Sequence, residues 1–266
     1  MLDSFNRSIT YLRISVTDRC NLRCVYCMPA EGIKLLPHSS ILSFDEIVDV
    51  VKVAVNTGVN KVRITGGEPL VRKDIVSLVS MIAKVDGIND LAMTTNGQLL
   101  EKFAKQLAEA GLHRVNVSLD TTNPEKYSEI TRGGNIKNVF EGLVAAEKSG
   151  LNPIKLNCVV HKSHDEPDAM AVKEFGKKMG YRVRFIHQMN LETGYFTVVE
   201  GGEGGNCAKC NRIRLTANGK LMPCLFSDLA YDVRELGAQE AFYQAVKNKP
   251  ERGGVSHEHC FYNIGG

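Results

Sequence analysis

Short apolar runs rich in β-branched residues alternate with longer segments of helical spacing through the first 189 residues of the chain. The six apolar runs are residues 12–16, 61–65, 91–95, 114–120, 154–160 and 182–189. The five helical segments, each ending in Gly, are residues 44–58, 71–87, 98–111, 136–150 and 168–180. Gly is the usual residue just past the end of a helix. Strands that alternate with helices predict a parallel sheet of right-handed βαβ units, and periodicity alone leaves open whether it is doubly wound or a barrel.

Three cysteines, Cys20, Cys24 and Cys27, follow the first predicted strand with the spacing CxxxCxxC. In a parallel barrel, the loops at the carboxyl ends of the strands carry the active site. Three thiolates can hold three irons of a [4Fe–4S] cluster, which normally has four ligands, so one iron stays open to a substrate or cofactor. The alternatives are a zinc site, which favours CxxC pairs followed by a second pair or histidines, and unrelated buried cysteines.

Two motifs in this region resemble those of the radical S-adenosylmethionine (SAM) superfamily. One is the cysteine motif with Tyr26 before its last cysteine, and the other is TGGEP at 65–69, which ends the second predicted strand. The resemblance implies a partial (β/α)6 TIM-like barrel and a [4Fe–4S] cluster whose open iron binds SAM and breaks its S–C5′ bond, giving a 5′-deoxyadenosyl radical. The residues that it implies for SAM binding are Tyr26, Gly66, Gly67, Glu68, Ser118 and Met189. Ser118 and Met189 also fit ordinary packing at strand ends.

A second cysteine group lies late in the chain, at Cys207, Cys210 and Cys224, with the spacing CxxC-x13-C. In a reducing compartment, clustered cysteines are more often metal ligands than disulfides. Three soft ligands again suggest an iron–sulfur cluster with one open iron. The alternative is a structural zinc with Cys260, His257 or His259 as its fourth ligand.

The sequence around the second group narrows the resemblance to the GTP 3′,8-cyclase family of molybdenum-cofactor biosynthesis. The similarity runs over residues 5–189 and 205–226 and returns in the final Ile-Gly-Gly. It implies a second [4Fe–4S] cluster that leaves one iron for the guanine end of GTP. It also implies catalytic roles for Arg212, Arg214, Gly265 and Gly266. The residues implied to bind GTP are Arg13, Arg63, Thr94, Lys155, Arg184, Arg212 and Arg214.

The charge pattern supports an anionic ligand without the resemblance. Arg212 and Arg214 alternate on a strand and therefore project to one face, where two guanidinium groups can grip an anion. Arg13, Arg63 and Arg184 lie in predicted strands, where a buried charge is costly without a partner, and a triphosphate is such a partner. The alternatives are a solvated strand edge for the first two arginines and internal salt bridges for the other three.

The chain departs from the cyclase pattern in residues 190–206, which replace a much longer stretch, at His187, where the family usually has Glu, and at Cys260, an added cysteine near the tail. We expect a barrel over residues 1–190 and a C-terminal extension over 191–266 with the second cluster and the Gly-Gly tail. The leading function is radical cyclisation of GTP. The alternatives are a radical SAM maturase that modifies a peptide or another small substrate, and a degenerate iron–sulfur protein of electron transfer or sensing.

Charge and hydropathy constrain the partners. A net charge of +3 gives no case for nucleic-acid binding but suits an anionic small molecule. No apolar run reaches about 18 residues, so no membrane span is expected, and the first residues lack the pattern of a secretory signal. We expect a cytoplasmic enzyme that receives electrons from a donor such as flavodoxin or ferredoxin, with a homodimer as its candidate assembly.

Overall fold

The computed structural model describes residues 1–258, which form one nine-stranded sheet covered by helices. Six parallel strands stand side by side in the order of the sequence. They are β1 (Tyr11–Ser15), β2 (Lys61–Thr65), β3 (Asp90–Thr95), β4 (Arg114–Ser118), β5 (Lys155–Val160) and β6 (Arg182–His187). A doubly wound sheet reverses its strand order at a switch point, whereas this order has no reversal and ends at β6. The arrangement is that of a partial TIM-like barrel.

Six helices connect these strands. They are α1 (Phe44–Asn56), α2 (Ile75–Ala83), α3 (Leu100–Glu109), α4 (Pro124–Thr131), α5 (Ile136–Lys148) and α6 (Pro167–Met179). All five glycines expected to end a helix have positive φ angles, which confirms that part of the prediction. Helix α2 begins later than predicted because residues 69–71 form a separate 3-10 turn. Helix α4 was not predicted.

The two sides of each parallel strand differ in chemistry, because successive side chains point to opposite faces of a sheet. In β1, Leu12 and Ile14 are fully buried in the hydrophobic core beneath the helices, whereas Tyr11 and Arg13 line an internal chamber. In β2, Arg63 again faces the chamber. A TIM barrel usually fills its interior with branched apolar side chains. The interior here is polar and cationic, so it forms a binding space rather than a core.

The C-terminal part of the chain extends the same sheet. It contributes β7 (Arg212–Leu215), β8 (Lys220–Met222), β9 (Tyr231–Asp232), α7 (Val233–Leu236) and α8 (Ala238–Lys247). Strand β7 lies parallel to β1 on the edge opposite β2, and β8 and β9 follow in antiparallel order. Ile213 and Leu215 of β7 belong to the core that packs the barrel. The division into residues 1–190 and 191–266 stays a prediction.

The short connection after β6 runs back along the edge of that strand. Phe185 and Glu200 exchange both backbone hydrogen bonds, each 3.1 Å long, and Asn190 and Tyr195 pair across a turn. Residues 196–206 then lead to the second cysteine group and form one wall of the internal chamber. Residues 190–206 therefore lie at the free edge of β6.

Candidate active site

The first cysteine site, Cys20, Cys24 and Cys27, lies at the carboxyl ends of the parallel strands. The three cysteines line one chamber, here called the first chamber. The predicted SAM-binding residues that also line it are Tyr26, Gly66, Gly67, Ser118 and Met189. The structure thus brings together residues from the loop after β1 and from the ends of β2, β4 and β6.

Two glycines allow the cysteine loop to pack against the end of β2. A Cβ atom on Gly67 would come within 2.4 Å of the carbonyl oxygen of Arg19, and one on Gly66 within 2.7 Å of that of Thr17. The backbone N–H of Gly67 donates to Thr17 at 2.8 Å. Only glycine fits contacts this close. The contacts fix the TGGEP loop relative to the cysteines.

The three thiols stand close enough to influence one another. Burial, followed by the charges of Asp120, Cys27 and Cys20, raises the pKa of Cys24 to about 12. Thiolates that repel each other in a buried site need a cation, and the irons of a cluster supply one. Within residues 1–258, no three His, Cys, Asp or Glu side chains converge as ligands of a single metal ion. A cluster, by contrast, distributes its thiolates over several irons.

Tyr26 is held in place by a buried carboxylate. Its hydroxyl donates to Asp120 at 2.7 Å, and the other oxygen of Asp120 accepts from the backbone N–H of Val159 at 2.8 Å. Burial raises the pKa of Asp120 despite these bonds, and burial together with the Asp120 charge raises the pKa of Tyr26 well above its usual range. The tyrosine is therefore a neutral hydrogen-bond donor fixed at the chamber wall.

Glu68 lies beneath the wall of the first chamber rather than in it. Its side chain is 0% exposed and accepts hydrogen bonds from the backbone N–H groups of Leu70 and Asn96 at 3.0 and 2.7 Å and from the Thr95 hydroxyl at 2.8 Å. Burial raises the pKa of Glu68 to about 7, although the three bonds oppose that shift. The carboxyl group joins the ends of β2 and β3 and orients Asn96, whose amide reaches the Cys20 sulfur at 3.8 Å.

The second cysteine site, Cys207, Cys210 and Cys224, lines a second chamber. The predicted GTP-binding residues that also line this chamber are Arg13, Arg63, Arg184, Arg212 and Arg214. Thr94 lies in the wall of the first chamber instead. Lys155 lies one strand away from Arg184, and its pKa falls to about 8 because of burial and of the charges of Arg184 and Arg114.

Arginines occupy matching register positions on the neighbouring strands that line the second chamber. Arg13 of β1 is in register with Arg63 of β2 and with Arg214 of β7, and adjacent strands are about 4.8 Å apart. Burial, followed by the charge of Arg212, lowers the pKa of Arg214 to about 10. Burial, followed by the charge of Arg63, lowers that of Arg184 to about 10. This density of like charge is the complement of a polyanion.

Some of these guanidinium groups have a buried donor without a partner among residues 1–258. The Nε–H groups of Arg63 and Arg184 donate to no acceptor in this described part of the chain. Neither these two arginines nor Arg212 forms an ion pair within residues 1–258, unlike Arg114, which binds Asp90 at 2.7 Å. The internal salt bridges considered from the sequence are therefore absent for Arg63 and Arg184. Buried donors without partners fit an anionic ligand.

Tyr11 lies at the centre of these cations. Its ring centroid is 5.1 Å from the Lys61 nitrogen, 5.4 Å from the Arg63 guanidinium and 5.6 Å from that of Arg212. Its buried hydroxyl has no hydrogen-bond partner in the described residues. Burial alone would raise the pKa of Tyr11, but the charges of Arg63, Arg13 and Arg212 hold it below its usual value. Sequence reasoning did not single out this residue.

The two chambers share part of their walls. Asn157 of β5, Ile186 of β6 and Met189 line both. The chambers have empty volumes of about 1070 and 1190 Å³, including space open to solvent, around the upper end of the range for small-ligand sites. One ligand bound at each cysteine site would meet the other at this shared wall.

His187 takes part in a small polar cluster formed with the shortened segment. Its Nε2 atom lies 3.5 Å from one oxygen of Glu200, and the other oxygen lies 2.6 Å from Nδ1 of His164. His187 also lines the first chamber. His187 thus faces a carboxylate from residues 190–206, and that both depart from the cyclase pattern stays a prediction.

Four residues named from the sequence lie outside residues 1–258: His259, Cys260, Gly265 and Gly266. The catalytic roles of Gly265 and Gly266 rest on the resemblance alone, and His259 and Cys260 stay candidate zinc ligands predicted from the spacing. Among the described residues, the structure adds Tyr11, Asp120, Asn157 and Lys249 to the chamber walls or their supports. No helix of the described part is both long and apolar enough to span a membrane.

Comparisons with known families agree with this geometry. The model of the radical SAM superfamily matches residues 14–175, more than half of the chain, and the model described as Molybdenum Cofactor Synthesis C matches residues 154–254. SuiB of Streptococcus suis, in a crystal structure with bound S-adenosylmethionine, has the same fold with a TM-score of 0.62 at 14% identity, over 91% of this chain and 64% of that one. The chain belongs to the radical SAM superfamily, whose model spans the first cysteine site.

Relatives with established names define the family within this class. The GTP 3′,8-cyclase of Thermodesulfovibrio yellowstonii is 44% identical over 282 aligned positions, which cover 89% of this chain and 88% of the relative. The GTP 3′,8-cyclase of Aliarcobacter butzleri is 38% identical over the full length of both chains. The chain belongs to the GTP 3′,8-cyclase family.

The alignments also bear on the length of the chain. The alignment with the Aliarcobacter butzleri protein has 323 positions, 57 more than the 266 residues of this chain. The relative therefore carries residues that this chain lacks. That the missing residues fall at 190–206 stays a prediction.

Proposed function

We propose that this chain cleaves SAM to a 5′-deoxyadenosyl radical and uses the radical to cyclise GTP, the reaction after which its relatives are named. The observation that carries the proposal is the pair of cysteine sites on two chambers that share a wall, with the arginines concentrated in the second. SAM in the first chamber and GTP in the second would meet at Asn157, Ile186 and Met189.

In the first chamber, Cys20, Cys24 and Cys27 would hold a [4Fe–4S] cluster with one iron open to SAM. The close-packed backbone at Gly66 and Gly67 presents the strand end to the methionine part of SAM. Tyr26, fixed by Asp120, would contribute a neutral hydrogen-bond donor. Glu68 supports this wall from beneath and positions Asn96.

In the second chamber, Cys207, Cys210 and Cys224 would hold a second [4Fe–4S] cluster with an iron open to the guanine end of GTP. Arg63 and Arg184 would donate to the triphosphate with the buried Nε atoms that have no protein partner in the described residues. Each charge-assisted bond contributes roughly 1.5–3 kcal/mol. Arg13, Arg212 and Arg214 would add to the positive potential, and Lys155 and Thr94 would complete the set.

When bound, the first cluster would supply the electron that breaks the S–C5′ bond of SAM to give methionine and the 5′-deoxyadenosyl radical. That radical would take the hydrogen atom from the ribose C3′ of GTP and leave as 5′-deoxyadenosine. The C3′ radical would then form a bond to guanine C8, and the resulting radical would take one electron from the external donor and one proton to give (8S)-3′,8-cyclo-7,8-dihydroguanosine 5′-triphosphate. The protein holds the two substrates and excludes water from the junction. Ile186 and Met189 give the shared wall an apolar surface. The tail residues Gly265 and Gly266 are assigned catalytic roles on resemblance alone.

The proposal includes an electron donor such as flavodoxin or ferredoxin, a homodimer and a cytoplasmic location. The proposed GTP binding does not depend on any of the three.

The proposal is tested by anaerobic reconstitution with iron, sulfide, SAM and dithionite, with and without GTP deuterated at C3′. The expected result is a new nucleotide, separated from GTP by chromatography, and one deuterium in the 5′-deoxyadenosine. Formation of unlabelled 5′-deoxyadenosine without loss of GTP would leave radical SAM chemistry standing but contradict the cyclase. A peptide or another small molecule would then become the leading substrate.

A further inference from the structure

Lys249 is a lysine that lies almost wholly inside the protein, just after α8, with 3% of its surface exposed. An ammonium group has three N–H donors and no acceptor. Two of its donors bind the backbone carbonyls of Arg212 at 2.8 Å and Pro223 at 2.5 Å. Lys249 also lines the second chamber together with Cys210 and Cys224, and its charge lowers the pKa of the Cys210 thiol. Within residues 1–258, no carboxylate lies within ion-pair distance of this nitrogen.

These partners belong to both segments of the second cysteine site. Arg212 follows Cys210 by two residues, and Pro223 directly precedes Cys224. Lys249 therefore joins the segment of the CxxC pair to the segment of the third cysteine. Burying an ammonium group without a carboxylate is costly. The ammonium of Lys249 instead contacts two carbonyl oxygens and lies at the chamber of the cysteines.

A second buried cation fixes the remaining ligand and the Lys249 segment. Arg7 is 8% exposed and donates to the carbonyl oxygens of Cys207 at 2.8 Å, Pro250 at 2.7 Å and Glu251 at 2.8 Å. Asp3 neutralises it at 2.6 Å. Arg7 thus has its own carboxylate, whereas no carboxylate of residues 1–258 pairs with Lys249, which lines the same chamber as Cys210 and Cys224.

We propose that Lys249 is a positioning residue for the second cluster, which holds the two ligand segments together and donates an N–H···S bond to Cys210. The inference rests on the second cluster of the proposed function. Hydrogen bonds to cluster sulfurs and nearby positive charge stabilise the reduced, more negative form of a cluster. The effect is large in a buried site because the charge is poorly screened. Lys249 therefore raises the reduction potential of the second cluster.

The test measures that potential in the full chain with Cys20, Cys24 and Cys27 all changed to Ala, so that only the second cluster remains. In this parent, Lys249→Met removes the charge and the donors at nearly constant length. Lys247→Met is the matched control, because it removes the same charge two residues away at a position that is exposed. Lys249→Arg keeps charge and donors. Iron content and a redox titration followed by electron paramagnetic resonance are measured for each.

We expect Lys249→Met to lower the equilibrium constant for one-electron reduction about tenfold, a shift of about 59 mV to more negative potential. The control should match the parent, and Lys249→Arg should recover most of the shift. If Lys249→Met loses its iron while Lys247→Met keeps it, the positioning role is supported. Lys249→Gln, which keeps two donors without the charge, then replaces Lys249→Met in the redox titration.

Two results would overturn the idea in different ways. Equal potentials for Lys249→Met and Lys247→Met, both with four irons, would refute the role of Lys249 alone. A parent that binds no cluster at all would refute the second cluster of the proposed function, and the inference with it.

Discussion

The two cysteine sites differ in how far apart along the chain their supports lie. The first site occupies eight residues, and its loop is closed by local bonds such as those from the N–H groups of Cys27 and Met28 to the carbonyl of Cys24, at 2.9 and 3.0 Å. The second site joins residues 207–224 with Arg7 near the start of the chain and Lys249 near its end. A local motif therefore contains most of the first site, whereas the supports of the second site come from both ends of the chain and depend on tertiary structure.

The surroundings of the two sites differ as well. The pKa of Cys24 is raised by burial and then by nearby negative charges. Burial alone would raise the pKa of Cys210, but the charges of Lys249 and Arg212 and the hydrogen bond from the Arg212 backbone together lower it. The first chamber therefore favours a cluster that neutralises its thiolates. The second chamber already has positive charge that can bind an anion.

The largest expected effect separates the sites by function. Cys24→Ala should abolish 5′-deoxyadenosine formation, because the first cluster cannot be held by two thiolates. Cys210→Ala should retain SAM cleavage uncoupled from any nucleotide product. Chromatography of 5′-deoxyadenosine and nucleotides under anaerobic conditions measures both. SAM cleavage that persists undiminished in Cys24→Ala contradicts the assignment of the first site.

Metal content tests whether the sites hold the same kind of group. We expect about eight irons per reconstituted native chain and about four in Cys210→Ala, since each cluster contains four. Elemental analysis for iron and zinc measures this directly. Four irons with one zinc in the native chain would instead support a structural metal at the second site.

The arginines should matter for one chamber only. Arg212→Ala and Arg214→Ala should each weaken GTP binding about ten- to a hundredfold, because each removes charge-assisted bonds of roughly 1.5–3 kcal/mol. Lysine at either position should recover part of the loss, since it keeps the charge but not the planar fork. Isothermal titration with GTP and with SAM measures the difference. Arg182→Ala, an exposed arginine of β6, is the matched control. Equal GTP affinity in all three variants and the native chain would count against the cyclase.

The second chamber should also respond to pH. The pKa of Lys155 is lowered to about 8 by burial and by neighbouring cations, so its positive charge is present at pH 7 and lost as the pH rises through 8. GTP affinity should therefore fall three- to tenfold between about pH 7 and 9. Lys155→Arg keeps its charge over this range and should flatten the profile. A profile that Lys155→Arg leaves unchanged would assign the dependence to another group.

The smallest effect is expected at the segment between the two sites. Glu200→Gln removes the carboxylate that faces His164 and His187. Because Glu200 is 40% exposed, the change in the free energy of unfolding should be below about 1 kcal/mol, and SAM cleavage should stay within about twofold. Urea unfolding at constant pH measures the first quantity. A loss of several kcal/mol would mean that this cluster holds the shortened segment in place.

The barrel could be predicted from the sequence because its signals are local. Apolar runs and terminal glycines marked six strands and five helices close to their observed bounds. Helix α4 was missed because only Tyr127 and Thr131 of its eight residues are buried, so it lacks apolar periodicity. Its N-cap Asn123 and the following Pro124 were signals that pointed to a helix start.

The sites could be predicted only as far as motifs and alternation reach. Tyr11 and Asn157 stand two positions from Arg13 and Lys155 on their strands, so period-two alternation places them on the same face and could have found them. Lys249 follows a helix in a polar stretch, and no local pattern distinguishes it from a surface lysine. Its burial depends on how α8 packs, which is a property of tertiary structure.

The pairing of β1 with both β2 and β7 has a consequence for the order in which the molecule is built. Tyr11 pairs with Lys61 on one side and with Arg212, 201 residues away, on the other. A ribosome adds roughly 5–20 residues per second, so one edge of β1 stays uncovered for roughly 7–30 s after β2 has been made. An open strand edge is prone to pair with other chains. The nascent chain therefore already contains all three cysteines of the first site while one edge of β1, the strand before them, is still unpaired.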